Sequence, residues 1–568
     1  MKNKEIAQIF NEIADLYEMQ DIDFKPRAYR KAAQNIESLG KDIEEIYEDN
    51  ELKNIPGIGE STAEEIKEYL DTGKVQRLKK LKEDMPVDLR SLSAVETLGP
   101  KKIKLLYQEL GVSTLDELEQ AAKQGKIRDL DGFGKKTEEN ILENISFARQ
   151  KGQRFLLGYV LPEAKEIISE LTDHVDQIEL AGSLRRRKET VGDVDILAVS
   201  SEPNKVMDYF TSMDRVENVI AHGETKSTIR LYGGIQVDLR IVKEQSFGSA
   251  LQYFTGSKDH NVKLRRIAQK NGLKLNEYGL FDNGKRKAGE SEKEVYEALG
   301  LDWIPPELRE DNGEINAAKQ HFLPRLVEYD EVKGDLQMHS TWSDGSNTMK
   351  EMIGESRKLG HSFIAFTDHV GTLKVAGGMD KKKWEKQGKK IAELQENYDD
   401  IHIFHGLEAN IKKNGELDID SSFLKEADVV LASIHSSFRL PRKEMTDRVI
   451  KAVENEYVNI LSHPTGRKIQ KKEAINLDLD AVFESARNHQ VAIEINAYPE
   501  RLDLNDSNVH RAIDTNVKLS IGTDAHRKDH LRYYTLGIAV ARRGWAQQKD
   551  IINTFSLSKL KKFLNKKT

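Results

Sequence analysis

VKGDLQMH (332–339), FIAFTDH (363–369), IHIFHGLE (401–408), DVVLASIH (428–435), VNILSHP (458–464), VAIEINA (491–497) and VKLSIGTDAH (517–526) are seven apolar runs, each followed by a helical stretch. Strand and helix alternating on this scale predict a parallel sheet closed into a barrel. Six of the seven runs end in His, Glu or an Asp/His pair. The carboxyl ends of parallel barrel strands carry active sites, and chance solvation explains six such endings poorly. Histidine is correspondingly uneven: three of the fifteen lie before residue 300 and eleven from His339 onward. The two halves of the chain therefore carry different chemistry.

A length of 568 residues argues for several domains. With no cysteine, a disulfide framework, a thiolate zinc site and a cysteine nucleophile are all excluded, so any metal must sit on histidine or oxygen. No apolar run approaches the roughly 18 residues of a membrane span, and the opening MKNKEIAQIFNEIADLYEMQ is an amphipathic pattern unlike a signal peptide. The expectation is a cytoplasmic protein with no membrane partner. A net charge of −7 gives no global case for nucleic acid, which must come from local sites.

Before residue 150, three segments read as helix, tight glycine turn, helix: NIPGIGESTAEEIKEYL (54–70), ETLGPKKIKLLYQEL (96–110) and DLDGFGKKTEENILENI (129–145). They resemble the helix-hairpin-helix motif, in which glycines let backbone N–H groups approach a phosphate at the next helix N-terminus. Gly57, Gly59, Gly99, Gly132 and Gly134 are the candidate DNA contacts; Thr97 stands where the second copy would have its first glycine. One such turn is usually a plain connector, but three in succession point to DNA.

Strand signals appear from about 155 to 243, in VDQIELAGS, VGDVDILAVS, STIRLYGG and IQVDLRIV. Asp193 and Asp195, spaced i, i+2 on one strand, share a face, and Asp238 lies in another apolar strand. Three such carboxylates suit two Mg2+ ions and phosphoryl transfer; the plain alternative is a solvated face of an antiparallel sheet. Gly182 and Ser183 supply a turn and a hydroxyl for phosphate, and Arg185 and Arg186 supply charge. DWIPPELREDNGE (302–314) has the paired prolines and acidic tail of a linker.

GS-x-RR, GD-x-D-[VI]-L, VDLR and YFTGS occur here in the order of family X DNA polymerases, the class of DNA polymerase beta, and FKPRAYRKAAQNI (24–36) is similar to that family's amino-terminal domain. The resemblance implies two metals on Asp193, Asp195 and Asp238, with Asp238 near the primer 3′-hydroxyl. It implies a triphosphate on Gly182, Ser183 and Arg186, a sugar-contacting turn at Tyr253, Phe254 and Gly256, and Asn261 and Arg265 facing the nascent pair. One departure stands out: Glu65 occupies the position of the family's Schiff-base lysine, and a carboxylate forms no imine. Lys67 turns to another helix face, while Lys25 and Lys31 remain as alternative amines.

The barrel's strand-end residues resemble the PHP domain, named for polymerase and histidinol phosphatase, a distorted seven-stranded barrel with a trinuclear centre. The resemblance implies one metal on His339, Glu408 and Asp524, a second on Asp344, His369 and His526, and a third on Glu408, His435 and His463. Imidazole with carboxylate suits Mn2+ or Zn2+, which neutralise a phosphate and lower the pKa of a water. Gln337 stands where the usual first histidine would be, implying a weaker amide ligand. His361, His402, His405, His489, His510 and His530 read as surface or satisfied core residues.

The expected architecture is multidomain α+β and α/β. A lyase-like helix-hairpin-helix domain (1–82) and a fingers-type one (83–150) precede a nucleotidyltransferase palm (151–243) and thumb (244–315). A linker (316–331) leads to a distorted (β/α)7 PHP barrel (332–568). The resemblance implies a monomer that fills short gaps in base excision repair, taking gapped or nicked DNA and dNTPs, with a 3′-to-5′ exonuclease in the barrel. It also allows AP endonuclease and 3′-phosphatase activity there. The rival is a phosphoesterase for a small phosphomonoester, its front half a DNA tether.

Overall fold

A computed structural model describes residues 2–565 except Asp23, 38–42, 49–50, Pro56, Ala94, 96–97, 151–153 and 373–375. Thr97 lies outside the described residues. Two compact units form: residues 1–154 with 230–235 and 261–266, and the remainder.

The first unit is helical. Its opening helix, Lys2–Met19, buries Ile6, Phe10, Ile13 and Tyr17, the spacing of one helical face, and one continuous core runs on to Ile145. Gly59 and Gly99 are the N-caps of helices Glu60–Thr72 and Pro100–Leu110, and Gly134 directly precedes helix Lys135–Gln150. Gly57 and Gly132 have φ of +83° and +73°, which a β-carbon disfavours.

After residue 154, β1 (Gln177–Leu180), β2 (Asp193–Val199), β3 (Val216–Ala221), β4 (Lys226–Leu231) and β5 (Gln236–Ile241) form a mixed sheet in the order β1-β2-β5-β4-β3. β1 runs antiparallel to β2, while β2 and β5 are parallel with Asp195 opposite Asp238. Helices Phe247–Thr255 and Lys258–Lys270 and a three-stranded antiparallel sheet follow.

Residues 302–314 depart from the linker expectation. Arg309 is fully buried, its guanidinium fork on the Glu292 carboxylate at 2.5 and 3.0 Å, and Arg185 makes a second fork on the same group at 2.7 and 2.9 Å. Glu314 is buried against His260 Nδ1 at 2.6 Å, with Tyr296 Oη 2.8 Å from the other ring nitrogen. The prolines shape a tight turn that carries these charges inward. Although burial raises the Glu292 pKa, Arg309 and Arg185 hold it far below the ordinary 4.5. Glu292→Gln leaves the buried Arg309 and the half-buried Arg185 guanidinium groups uncompensated and is expected to cost about 3–5 kcal/mol. Because the folded pKa is depressed, Glu292 contributes its full stability above about pH 4.5 and loses it as pH falls toward the folded value. Thermal unfolding of both proteins between pH 3 and 7 checks this: the gap should narrow in acid, and a pH-independent gap would refute it.

The barrel strands are β6 (Gly334–Met338), β7 (Phe363–Phe366), β8 (His402–Asn410), β9 (Val429–Ser433), β10 (Ile460–Leu461), β11 (Ala492–Asn496) and β12 (Leu519–Gly522), all parallel and in sequential order. A parallel bridge from Met338 to Ala525 brings the first strand to the end of the last and nearly closes the barrel. β6, β7, β9, β11 and β12 are buried throughout, which explains why they read as continuous apolar runs rather than alternations.

Candidate functional site

On the open sheet, parallel pairing of β2 and β5 puts Asp195 beside Asp238, with Asp193 two residues along the same face. Asp238 is buried and accepts hydrogen bonds from Thr228 Oγ1 (2.8 Å) and Gln236 Nε2 (3.1 Å), and Lys226 Nζ lies 2.7 Å from its other oxygen. Burial, with the charges of Asp193 and Asp238, pushes Asp195 up to about 7. A carboxylate crowded in this way is stabilised as an anion by a nearby cation, so the trio fits oxygen-bound divalent metal. A β-carbon at Gly182 would meet Asp195 Oδ2 at 2.2 Å, and Gly182 has φ of +61°. Only glycine lets this turn approach the carboxylate so closely.

Ser183 lies in the short helix Gly182–Arg185 that begins at this turn. Arg186 donates to the Thr255 carbonyl (Nη1, 2.5 Å) and to Glu310 (Nε, 2.9 Å). Gly256, φ +70°, lies against the same guanidinium: its β-carbon would stand 3.1 Å from Arg186 Nη1. Tyr253 and Phe254 are half-buried and meet edge to face, and Arg240 sits 4.6 Å from the Phe254 ring centroid. Asn261 (buried) and Arg265 (exposed) lie on helix Lys258–Lys270.

In the helical unit, Glu65 is buried and both its oxygens accept from Tyr29 Oη, at 2.9 and 2.8 Å, with Arg77 Nε at 3.2 Å. The carboxylate binds the core of this domain together. Lys67 is exposed, Lys25 Nζ sits over the Tyr17 ring, and the Lys31 stem flanks Gly57. Borohydride trapping on a 5′-deoxyribose phosphate end is expected to give no adduct within residues 60–75; an adduct mapped there would show that Lys67 replaces the missing amine.

The barrel's strand ends converge on Glu408. His339 Nε2 (3.3 Å) and His369 Nδ1 (3.8 Å) approach one of its oxygens, His435 Nε2 and His463 Nε2 (each 3.3 Å) the other. Asp524 Oδ1 lies 3.2 Å from His339 Nε2, and Asp344 Oδ2 lies 3.3 Å from His526 Nε2 and 3.6 Å from His369 Nε2. Three sets bring ligand atoms within 4.8 Å of one another: His339, Asp344, His369 and His526; His369, Glu408 and His435; His339, Glu408 and Asp524. Among the described residues such sets occur only in the barrel.

The donor set fits transition metal. Both His339 nitrogens, Nδ1 of His369 and of His463, and Glu408 Oε1 are buried without a hydrogen bond. Burial pushes His369 down to about 4, so it is the neutral ligand form. Against burial, His526 and His339 hold Asp344 down at about 2, leaving it ionised.

Residues with no strand-end signature hold these ligands. Asp368 accepts from the amides and hydroxyls of Ser340 and Ser343, ordering the loop that carries Asp344. Glu494 accepts from the His463 amide (2.7 Å) and Ser462 Oγ (2.9 Å), and Asn496 Nδ2 donates to both Glu494 and Asp524. The Asp524 carbonyl lies 2.8 Å from His526 Nδ1, which leaves Nε2 toward the cluster. Strand periodicity puts Glu494 and Asn496 on one face, but the TDH, EIN and DAH runs do not reveal who holds whom.

Two expectations are corrected. Gln337 does not offer its oxygen to the cluster: that oxygen accepts from Ser462 Oγ (3.1 Å), while its amide donates to Glu408 Oε2 (3.2 Å). Gln337 thus positions Glu408. His361 is no satisfied core residue, because it is buried with neither ring nitrogen hydrogen-bonded, and burial pushes it down to about 4.

Known family models match four stretches: a helix-hairpin-helix domain (1–75), a SAM-like helix-hairpin-helix tandem (89–146), the DNA polymerase beta thumb (250–310) and the PHP domain (335–498). The sequence is 39% identical to DNA polymerase/3′-5′ exonuclease PolX of Bacillus subtilis (strain 168), with 100% of both chains covered. It is 26% identical to DNA polymerase lambda of Arabidopsis thaliana, over 54% of this chain and 62% of the plant protein. A probable phosphatase of Thermoanaerobacter sp. (strain X514) is 27% identical over 39% of this chain and 89% of its own length. Among the described residues no helix is long and apolar enough to cross a membrane.

Proposed function

The chain belongs to the family X DNA polymerases that carry a carboxy-terminal PHP domain, and from that premise we propose that it fills short gaps in damaged DNA at the sheet site and trims 3′ ends in the barrel. The observation that carries this reading is the end-to-end match to a polymerase/exonuclease in a chain that holds both the carboxylate trio and the histidine cluster.

For synthesis, Asp193, Asp195 and Asp238 would hold Mg2+, which would supply charge to the phosphates and a more acidic primer hydroxyl. Asp238, kept in place by Thr228 and Gln236, stands nearest that hydroxyl. Gly182, Ser183 and Arg186 receive the triphosphate, and Tyr253, Phe254 and Gly256 wall the sugar. Asn261 and Arg265 face the nascent pair. Gly57, Gly59, Gly99, Gly132 and Gly134 hold the DNA backbone.

For trimming, His339, Asp344, His369, Glu408, His435, His463, Asp524 and His526 would hold Mn2+ or Zn2+, which would supply charge to the scissile phosphate and a more acidic water. Glu408 joins the histidines into one cluster; Gln337, Glu494 and Asp368 keep its members aimed. AP-site cleavage and 3′-phosphate removal use the same arrangement. The protein works as a cytoplasmic monomer on gapped or nicked DNA and dNTPs.

One assay tests the pair of activities: extension and degradation of a labelled primer on gapped DNA, with Mg2+ and Mn2+ compared. Extension in Mg2+ and 3′ trimming that is stronger in Mn2+ are expected, and absence of extension in either metal would sink the polymerase assignment. Similarity to a probable phosphatase favours one rival, a phosphomonoesterase, which requires hydrolysis of a free phosphomonoester without DNA.

A further inference from the structure

The turn that carries Arg186 is fastened to the barrel. Arg543, at the end of helix Tyr534–Arg543, is buried and donates through Nη1 to the Arg186 carbonyl (2.7 Å), to Glu310 Oε1 (3.1 Å) and to the Glu307 carbonyl (3.3 Å). Its Nη2 sits on Asp506 Oδ2 at 2.5 Å. Three residues along the same turn, Glu189 accepts from Arg467 Nη2 at 2.6 Å, and that nitrogen also holds the Leu502 carbonyl. Residues 186–189 are thus pinned at both ends by barrel side chains.

The chemistry at Glu310 gives these contacts a consequence. Its Oε1 is shared by Arg186 Nε (2.9 Å) and Arg543 Nη1 (3.1 Å), with Lys188 Nζ at 3.9 Å. Arg543 and Arg186 divide one carboxylate oxygen between them, so Glu310 does not close on Arg186 as an exclusive pair, and Arg186 Nη1 is already spent on the Thr255 carbonyl. Without Arg543, Glu310 would neutralise Arg186 alone, and the Arg186 carbonyl would lose the donor that fixes its peptide.

We propose that Arg543 is a positioning residue for nucleotide addition, so that the trimming domain sets the affinity of the synthesis site for the incoming nucleotide. This rests on Arg186 as a triphosphate ligand. It accounts for a buried arginine whose four acceptors include none of the histidine cluster's ligands, two of them, the Arg186 carbonyl and Glu310 Oε1, belonging to the nucleotide-binding turn and its counter-ion.

The test uses the full chain: single-nucleotide insertion of dTTP into a one-nucleotide gap with Mg2+, for wild type, R186A, R543A, R543K and R186A/R543A. Degradation of labelled single-stranded DNA in Mn2+ and thermal unfolding are measured on the same preparations. R543A should raise KM for dTTP about tenfold, the worth of one lost hydrogen bond to a charged group, with kcat within about threefold. R543K keeps the Asp506 pair but cannot reach the carbonyl and Glu310 together, so about threefold is expected. The double variant should be no worse than R186A, because Arg543 acts through Arg186. Degradation should stay within about twofold of wild type. An unchanged KM in R543A, additive effects in the double variant, or parallel loss of insertion and degradation would each overturn the proposal. Should R543A fail to fold, R543K decides. If instead R186A leaves KM unchanged, the nucleotide-binding role of that turn falls, a failure distinct from R186A raising KM while Arg543 variants do not.

Discussion

Asp195→Ala is expected to reduce nucleotide addition at least about a thousandfold while leaving 3′-end trimming within about twofold of wild type. Asp195 stands two residues from Asp193 on one strand and, across the parallel register, opposite Asp238, so it belongs to both halves of the trio that would hold Mg2+. Burial and its two neighbours already push it up to about 7, which shows how strongly negative charge is concentrated at this point. Alanine removes the ligand and also opens the space against Gly182, whose α-carbon is shaped to that side chain. Single-turnover insertion on gapped DNA, alongside degradation of single-stranded DNA by the same preparation, checks both halves. Undiminished insertion would remove the sheet trio from catalysis, and equal loss of both activities would mean that the substitution acts on folding instead.

Glu408→Gln should do the reverse, reducing 3′ trimming at least about a thousandfold with gap filling retained. Four histidines approach its two oxygens within 3.8 Å, and no other carboxylate in the barrel joins so many of the candidate ligands. The amide keeps the volume but withdraws the charge that lets several cations lie close together. Bound transition metal, measured on the protein after desalting, should fall with the activity, and His339→Ala should give the same loss although it faces Asp524 and Asp344 as well. A Glu408→Gln protein that keeps both its metal and its trimming would show the cluster to be structural.

The repeating strand and helix pattern after residue 330 determined the barrel, because strands buried on both faces must be apolar throughout and chemistry-bearing residues can break that rule only at strand ends. The i, i+2 spacing of Asp193 and Asp195 was likewise legible, since strand period puts them on one face whatever else the chain does. Glycine before helices Glu60–Thr72, Pro100–Leu110 and Lys135–Gln150 was readable for the same local reason. What period and spacing cannot carry is register between distant strands or the aim of a flexible side chain. That Asp195 faces Asp238 across a parallel pair, that Gln337 turns its oxygen to Ser462 and its amide to Glu408, and that Glu65 is clasped by Tyr29 and Arg77 were decided by packing. Residues 302–314 show the limit most clearly: paired prolines and acidic residues describe a linker locally, yet buried partners turn the segment into the anchor of Glu292. Arg543 and Arg186 lie 357 positions apart, and no local signal could join them, because a hydrogen bond between distant segments exists only once both have folded onto a common core.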